Sequence, residues 1–146
     1  MNILAVDPGS ISAAYAFVGS IITVGDVPVA DKMVAAADWH RIVKQMDPDV
    51  CVFEKVGSMP KQGIASAFRF GLGTGLLRGV VAGLGIPVVE VVPTKWKKHF
   101  NLGADKERGR ALALSRFPTV SGLDRKKDHG RADALLMILW YMETQR

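Results

Sequence analysis

The sequence predicts an α/β protein built on one five-stranded mixed sheet that is flanked by helices. Two short apolar runs, at residues 3–6 and 50–53, are each followed directly by an acid, Asp7 and Glu54. A short apolar run bounded by turn residues is typical of a strand buried on both faces. The order of strand-like and helix-like stretches predicts three antiparallel strands followed by two parallel ones.

Three antiparallel strands are predicted to open the chain. The first ends at Asp7, because Pro8 cannot continue a hydrogen-bond ladder and Gly9 permits a sharp reversal. Residues 13–18 and 21–29 form the next two strands, and the links at Gly9-Ser10 and Gly19-Ser20 are short. Short links usually join neighbouring antiparallel strands, so the three are expected to form a meander.

A helix and a fourth strand follow. Asp31 is the expected N-cap of the helix, apolar residues recur at helical spacing after it, and Pro48 ends it. Residues 50–53 form the fourth strand, which ends on Glu54 and repeats the pattern of the first. If it pairs in parallel with the first strand, the two terminal acids become neighbours about 4.8 Å apart.

The second half of the chain predicts a long helix, a fifth strand and three further helices. The long helix, at about residues 64–84, carries small residues at every fourth position: Gly63, Ala67, Gly71, Gly75, Gly79 and Gly83. Each glycine destabilises a helix interior by roughly 1 kcal/mol relative to alanine, so we expect close backbone approach, to the sheet or to a second subunit. The remaining predicted elements are a strand at 87–92, a short basic helix from Pro93 and helices at about 104–117 and 128–142.

Composition sets broad limits on the protein. A chain of 146 residues with 49% hydrophobic and 23% charged residues is expected to form one folded domain, residues 1–146. A net charge of +5 favours an anionic partner, nucleic acid first and an acidic membrane surface second. The single cysteine, Cys51, is expected to be a buried thiol in a reducing compartment. No stretch reads as a signal peptide or a membrane span, which predicts a soluble protein of the cytoplasm.

The last predicted helix supplies a third set of candidate active-site groups. Asp133 lies among apolar residues on a helix that must pack on the sheet, and an acid there needs a partner. His129 is four residues earlier and therefore on the same helix face. It is interpreted as a metal ligand, a phosphate contact or a solvated side chain. Asp128 is placed either to cap the helix or to join the other acids.

The acids together predict a metal site. Oxygen ligands without a Cys/His cluster suit Mg²⁺ or Mn²⁺ rather than zinc. Close carboxylates raise each other's pKa, whereas a bound cation keeps them ionised. Two such ions about 4 Å apart activate a water and stabilise the leaving oxygen of a phosphodiester.

Three sequence blocks carry a resemblance to a known family. They are Ile-Leu-Ala-Val-Asp-Pro-Gly-Ser at 3–10, Pro-Asp-Val-Cys-Val-Phe-Glu-Lys-Val at 48–56 and Asp-His-Gly-Arg-Ala-Asp-Ala-Leu-Leu at 128–136. With the glycine-rich helix, the fifth strand and the Pro-Thr-Lys-Trp-Lys segment at 93–97 in the expected order, the chain resembles RuvC-type Holliday junction resolvases. These belong to the RNase H-like superfamily, and the likeness is greatest to the compact bacteriophage versions. It covers nearly the whole chain.

The resemblance implies an Mg²⁺-dependent, homodimeric endonuclease that uses two ions per active site, with Mn²⁺ as a substitute, and nicks opposing strands of a four-way DNA junction. The catalytic candidates are Asp7, Glu54, Asp128, His129 and Asp133, of which Asp7, Glu54 and Asp133 are the metal ligands. Two positions depart from the family pattern. Gly130 stands where many relatives carry an Asp or His, so Asp128 or His129 takes that role or it is vacant. Gly57 stands where bacterial members carry an aromatic residue that enters the junction centre, which leaves any family-like sequence preference open.

Basic residues around the acids are expected to bind DNA, mainly through its phosphates. They are Lys55, Lys61, Lys95, Lys97, Lys98, Arg125, Lys126, Lys127 and Arg131. His129 or Lys127 is expected to steady the scissile phosphate or the leaving 3′ oxygen, and Trp96 to lie in the core or to stack on a base. Two symmetric nicks need two symmetric sites, so we expect a homodimer joined through the glycine-rich or the last helix.

Three alternatives stay open at this point. Another RNase H-like nuclease, acting on RNA or an RNA–DNA hybrid, would use the same acids. A non-catalytic junction-binding module would account for Gly130. One half of a sugar-kinase or actin-like ATPase also opens with an Asp-Gly strand turn, but this chain is too short to supply a second lobe over ATP.

Overall fold

The computed structural model describes residues 1–9 and 12–145, and the predicted alternation of strands and helices is confirmed there. The strands are β1 (Ile3–Asp7), β2 (Ala14–Val18), β3 (Ile22–Asp26), β4 (Val29–Ala30), β5 (Met33–Val34), β6 (Val50–Glu54) and β7 (Val88–Val91). The helices are α1 (Ala36–Met46), α2 (Ile64–Gly83), α3 (Pro93–His99), α4 (Lys106–Arg116) and α5 (His129–Thr144), with a 3₁₀ turn at Lys126–Asp128. The predicted turn after β1 includes Ser10, which, like Ile11, lies outside the described residues.

The main sheet has the predicted mixed topology. Its five strands lie in the order β3-β2-β1-β6-β7. The β3-β2 and β2-β1 pairs are antiparallel, whereas β6 runs parallel to β1 and β7 runs parallel to β6. The parallel pairing of β1 and β6 brings the carboxyl ends of both strands to one edge of the sheet, where the first two acids lie.

Helices cover both faces of the sheet, which explains the continuous apolar runs. In β1, Ile3 and Ala5 belong to the core formed with α3, α4 and α5, while Leu4 and Val6 belong to the core formed with α1 and α2. A strand that is buried on both faces cannot alternate apolar and polar residues. Across the two described ranges, no helix is both long and apolar enough to cross a membrane.

The segment between β3 and α1 differs from the prediction. The third strand stops at Asp26, and β4 and β5 form a separate hairpin. Asp31 is therefore not a helix cap: it lies with Lys32 in the hairpin turn, with φ of 52° and 62°. The helix begins later, with Ala35 at its N-cap and no side chain capping it. Met33–Val34 matched the helical spacing in sequence but pairs as a strand.

The glycines of α2 do not serve one of the two close approaches expected of them, the approach to the sheet. A Cβ atom added at four of them would meet nothing within 4 Å: Gly71, Gly75, Gly79 and Gly83. They face open space, so packing of the helix backbone on the sheet does not explain them. The helix contacts the core instead through Leu77 and Val81, and Gly73 lies against the β4–β5 hairpin.

Candidate active site

Two carboxylates meet where β1 and β6 end. The parallel register pairs Val6 with Phe53, so the next residues, Asp7 and Glu54, lie side by side. Their carboxyl groups are close enough to share a hydrogen bond when one is protonated. The sequence prediction that these two acids become neighbours is confirmed.

The first turns of α5 bring a third carboxylate to the same place. Asp133 lies close enough that its charge raises the pKa of Asp7. One glycine permits this packing. A Cβ atom at Gly130 would lie 3.3 Å from Asp7 Oδ2, which is tighter than an ordinary contact, whereas one at Gly109 of α4 would make an ordinary contact of 3.5 Å with Asp133 Oδ1. The glycine at 130 therefore leaves room for the helix to sit directly against Asp7.

Burial and mutual repulsion raise the pKa values of two of these acids. Burial raises the pKa of Asp7 well above its ordinary value, and the charges of Glu54 and Asp133 raise it further. Burial also raises the pKa of Asp133 to about 7, an effect opposed by Lys97 and reinforced by Glu54. In the two described ranges, none of the three acids forms a salt bridge. Lacking such a bridge within these ranges, Asp7 and Asp133 resist full ionisation and retain protons more readily than free carboxyl groups do.

Glu54 has a specific hydrogen-bond partner. The indole Nε1 of Trp96 donates to Glu54 Oε2 over 2.8 Å, and both side chains are buried. Of the two roles considered for Trp96 from the sequence, the core position is the one found. Stacking on a base is not compatible with an indole that is 0% exposed.

The acids lie in an open cleft of about 520 Å³ with a basic rim. Its rim includes Lys97, Lys106, Lys127, His129 and Arg131. The pKa of His129 is lowered by partial burial and by the nearby charge of Lys106, so the neutral imidazole is favoured at pH 7. The cleft thus joins an acidic floor to basic walls, an arrangement suited to a metal ion and a phosphate group together.

Comparison with solved structures identifies the fold. RuvC of T. thermophilus in complex with a Holliday junction substrate superposes with a TM-score of 0.73 at 16% identity, covering 99% of this chain and 96% of that one. The fowlpox virus Holliday junction resolvase gives a TM-score of 0.59 at 18% identity over 99% of both chains. The yeast mitochondrial Holliday junction resolvase Ydc2 gives 0.52 at 14% identity, over 96% of this chain and 78% of that one. The chain has the RuvC-type RNase H-like fold.

Sequence comparison gives a partial match in keeping with this fold. No family model matches the chain. A curated relative, the chloroplastic Holliday junction resolvase MOC1 of Chlamydomonas reinhardtii, is 36% identical over 85 residues. That stretch is 56% of this chain but 10% of the algal protein, so the chain spans about a tenth of that relative's length.

Asp128 has a different environment from the three acids of the cleft. Its side chain is 2% exposed and accepts hydrogen bonds from Arg125, including one from Arg125 Nη2 at 2.8 Å. These bonds lower the pKa of Asp128, and Arg131 Nη1 lies 3.7 Å away. The side chain does not line the cleft and makes no capping bond to α5. Asp128 thus stands at the N-cap position of α5, as one of the two sequence interpretations expected, but its side chain accepts from Arg125 instead of capping the helix. Its active-site role stays a prediction. His129 is the candidate for the fourth group that does line the cleft.

The predicted DNA-binding residues divide into groups. Lys97, Lys127 and Arg131 line the cleft, and Lys98 and Lys126 line the neighbouring grooves. Arg125 and Arg131 are held in ion pairs with Asp128 and Asp26 respectively. Lys55, Lys61 and Lys95 are exposed but line none of these cavities.

Lys106 is a basic cleft residue that the sequence analysis missed. It opens α4, and Gly109, one turn later, packs against Asp133. The contact between α4 and α5 therefore carries Lys106 to the cleft. No local sequence signal marks this lysine, because its position depends on how the two helices pack.

The three acids suit a hard divalent cation by chemistry, although they do not form a closed cage. Among the described residues, no three His, Cys, Asp or Glu side chains are arranged so that they could hold a metal ion as they stand. The donor set nevertheless fits, because buried carboxylates with raised pKa values are the groups that a cation would stabilise in ionised form. By the chemistry of their carboxylates, Asp7, Glu54 and Asp133 are thus the residues that would hold Mg²⁺ or Mn²⁺.

Proposed function

We propose that this chain is a metal-dependent endodeoxyribonuclease that resolves four-way (Holliday) and other branched DNA junctions by paired symmetric nicks. The observation that best supports the proposal is the meeting of Asp7, Glu54 and Asp133 on the floor of a lysine-rimmed cleft. The RuvC-type fold adds support, since one protein that shares it is described with a bound Holliday junction substrate. The net charge of +5 suits a polyanionic substrate.

Each part of the cleft has a role in this proposal. Asp7, Glu54 and Asp133 would hold two Mg²⁺ ions, or Mn²⁺ in their place. When bound, such ions supply an activated water and stabilise the leaving oxygen of the phosphodiester. The lysines of the rim bind the phosphates of the DNA backbone and so fix the DNA over the acids. His129, neutral at pH 7, steadies the scissile phosphate or the leaving 3′ oxygen with a hydrogen bond.

Paired nicks require two active sites related by symmetry, and α2 is the surface that we assign to the subunit contact. Ile64, Phe68 and Leu72 recur at every fourth position of α2 and are 91%, 71% and 46% exposed. Its outward glycines would let a second helix approach closely. The other candidate, α5, is unsuitable along its middle, because residues 134–138 are fully buried within the protomer.

One further function has an observation in its favour. Gly130 leaves the position three residues before Asp133 without a ligand, and the acids do not form a closed metal cage. Both features are compatible with a module that binds junctions without cutting them. The intact set of three acids at one cleft favours catalysis over this alternative.

The proposal is tested by offering the protein a panel of labelled substrates in Mg²⁺. The panel contains a four-way junction, a linear duplex of the same sequence and an RNA–DNA hybrid, with Asp7→Asn as the inactive control. We expect cleavage of the junction alone, abolished by Asp7→Asn. Tight junction binding without cleavage in either Mg²⁺ or Mn²⁺ would support the binding module instead. Cleavage of the hybrid alone would contradict the assigned substrate and leave the metal site standing.

A further inference from the structure

We propose that Trp96 is a positioning residue for the metal site: its buried indole N–H fixes the carboxylate of Glu54 in the orientation needed to bind a cation. The inference rests on the proposed metal-dependent function. It concerns a residue that does not touch the substrate and does not itself carry charge.

The fold delivers Trp96 to Glu54 through the edge of the sheet. In the parallel pair of β6 and β7, Glu54 lies opposite Val91. The helix α3 begins two residues after Val91, at Pro93, and the Trp96 indole reaches Glu54 at the end of β6. Trp96 lies in the first turn of this helix and packs into the core on the α5 side of the sheet. Both ends of the contact are therefore fixed to the same pair of strands.

The hydrogen bond from Trp96 restrains the orientation of the Glu54 carboxylate. The donor and acceptor atoms are 2.8 Å apart, Trp96 is 0% exposed and Glu54 is 7% exposed. An indole offers one donor and no acceptor, so it holds a single carboxylate oxygen and leaves the other lone pairs of the carboxylate free. Because the indole N–H lies in the core, water does not readily replace it as a donor if the bond is lost. Glu54 would then be free to turn toward other rotamers.

The same indole ring also lies beside the rim of the cleft. The Nζ atom of Lys97 is 5.5 Å from the centre of the Trp96 ring, within the range of a cation–π contact. Lys97 is one of the cations that lower the pKa values of Asp7 and Asp133. Trp96 thus contacts one acid of the floor and one lysine of the rim, so a single buried side chain orders both.

The chain contains a matched control. Trp39 is also 0% exposed, and its Nε1 donates to a buried acceptor, the carbonyl oxygen of Leu77, over 3.1 Å. It lies in the core on the opposite face of the sheet, with α1 and α2. Trp39→Phe and Trp96→Phe therefore remove the same donor and the same ring volume, but only one of the two changes touches a carboxylate of the cleft.

The test compares the full-length wild-type protein with Trp96→Phe, Trp39→Phe and a third variant. In the third, 3-benzothienylalanine replaces Trp96, which keeps the ring shape and removes the N–H. Three quantities are measured for each protein. Mn²⁺ affinity is determined by calorimetry without DNA, and the melting temperature is determined in a chelator. Junction cleavage is measured as separate kcat and KM values. The outer partners of metal ligands typically contribute about 10- to 100-fold to metal affinity or activity. We expect both Trp96 variants to lose Mn²⁺ affinity by roughly that factor, with lower kcat and little change in KM.

The outcomes separate this inference from the proposed function. Trp39→Phe is expected to reduce the melting temperature by about as much as Trp96→Phe while leaving Mn²⁺ affinity within about twofold of wild type. If the benzothienylalanine variant, or Trp96→Phe, binds Mn²⁺ and cuts junctions like the wild type, the positioning role is refuted and the proposed function is untouched. If the wild type binds no Mn²⁺, the proposed function fails and this inference fails with it. If Trp96→Phe does not fold, the benzothienylalanine variant alone decides the result.

Discussion

Asp133→Asn should stabilise the metal-free protein at neutral and alkaline pH, although it removes a residue that we assign to the active site. Burial raises the pKa of Asp133 to about 7, from an ordinary value of 3.8. A group whose pKa is higher in the folded chain than in the unfolded chain contributes stability below the unfolded value. That stability is lost as the pH rises through the folded value. For Asp133 the loss falls between about pH 4 and pH 7.

The size of the effect follows from the same two values. The rise in pKa to about 7 sets an upper bound of about 4 kcal/mol on the destabilisation above pH 7. Water enters the open cleft and relaxation lowers the penalty, so we expect about 2 kcal/mol. For a chain of this length, that corresponds to roughly 5–10 °C in melting temperature.

Thermal unfolding in a chelator measures this directly. At about pH 8 the Asp133→Asn variant should melt above the wild type, whereas at about pH 4 the two should melt together. Added Mg²⁺ at about pH 8 should raise the melting temperature of the wild type, because the cation binds only the folded state, and should raise that of the variant much less.

Asp128→Asn is the matched control, because it removes an acid whose pKa is lowered in the folded protein, whereas that of Asp133 is raised. The hydrogen bonds from Arg125 lower the pKa of Asp128, so its contribution to stability is present above the unfolded pKa and is lost as the pH falls. This variant should be destabilised at about pH 8 by about 1–3 kcal/mol. If Asp133→Asn instead melts below the wild type at about pH 8 in a chelator, the claim that ionised Asp133 destabilises the metal-free protein is wrong.

Three further predictions concern other parts of the molecule. Gly130→Ala places a Cβ atom 3.3 Å from Asp7 Oδ2, and this overpacking should reduce junction cleavage at least about tenfold and stability by about 1–3 kcal/mol. Lys106→Met should reduce the slope of log affinity for junction DNA against log salt by about 1, whereas Lys44→Met on α1 should leave it unchanged. Burial raises the pKa of Cys51 to about 12, so its thiol should not react with Ellman's reagent at pH 8 until the chain is denatured. Unchanged cleavage, an unchanged slope or rapid thiol modification, respectively, would contradict them.

The sequence was informative where local pattern and strand geometry act together. Asp7 and Glu54 could be placed side by side because each ends a run that is buried on both faces, and parallel strands end at the same edge. Asp133 was also predictable, since an acid within an apolar helix needs a partner. The mixed sheet followed from the order of the elements.

The sequence was less informative where local pattern competes with tertiary packing. Met33–Val34 fits a helical period, yet the left-handed turn at Asp31 and Lys32 makes it half of a hairpin. Asp128 takes the N-cap position of α5 that its sequence pattern allowed, yet its side chain is bound by Arg125 and does not cap the helix. Such outcomes depend on contacts that neither periodicity nor spacing encodes.

The residues that the sequence analysis missed share one cause. The position of Lys106 depends on the contact of α4 with α5, and the bond from Trp96 to Glu54 depends on the contact of α3 with the end of β6. Both contacts join elements that are separate in sequence. The bacteriophage origin and the cytoplasmic location stay predictions from the sequence alone.

The central claim is that the acidic cleft cuts branched DNA in symmetric pairs, and mapping the nicks tests it most directly. A four-way junction is labelled in turn at the 5′ end of each strand, incubated with the protein in Mg²⁺, and resolved beside size markers. The account predicts nicks at matching positions in two opposing strands, formed by the wild type and absent with Asp7→Asn. Nicks in a single strand, nicks scattered over all four strands, or cleavage that survives Asp7→Asn would contradict it.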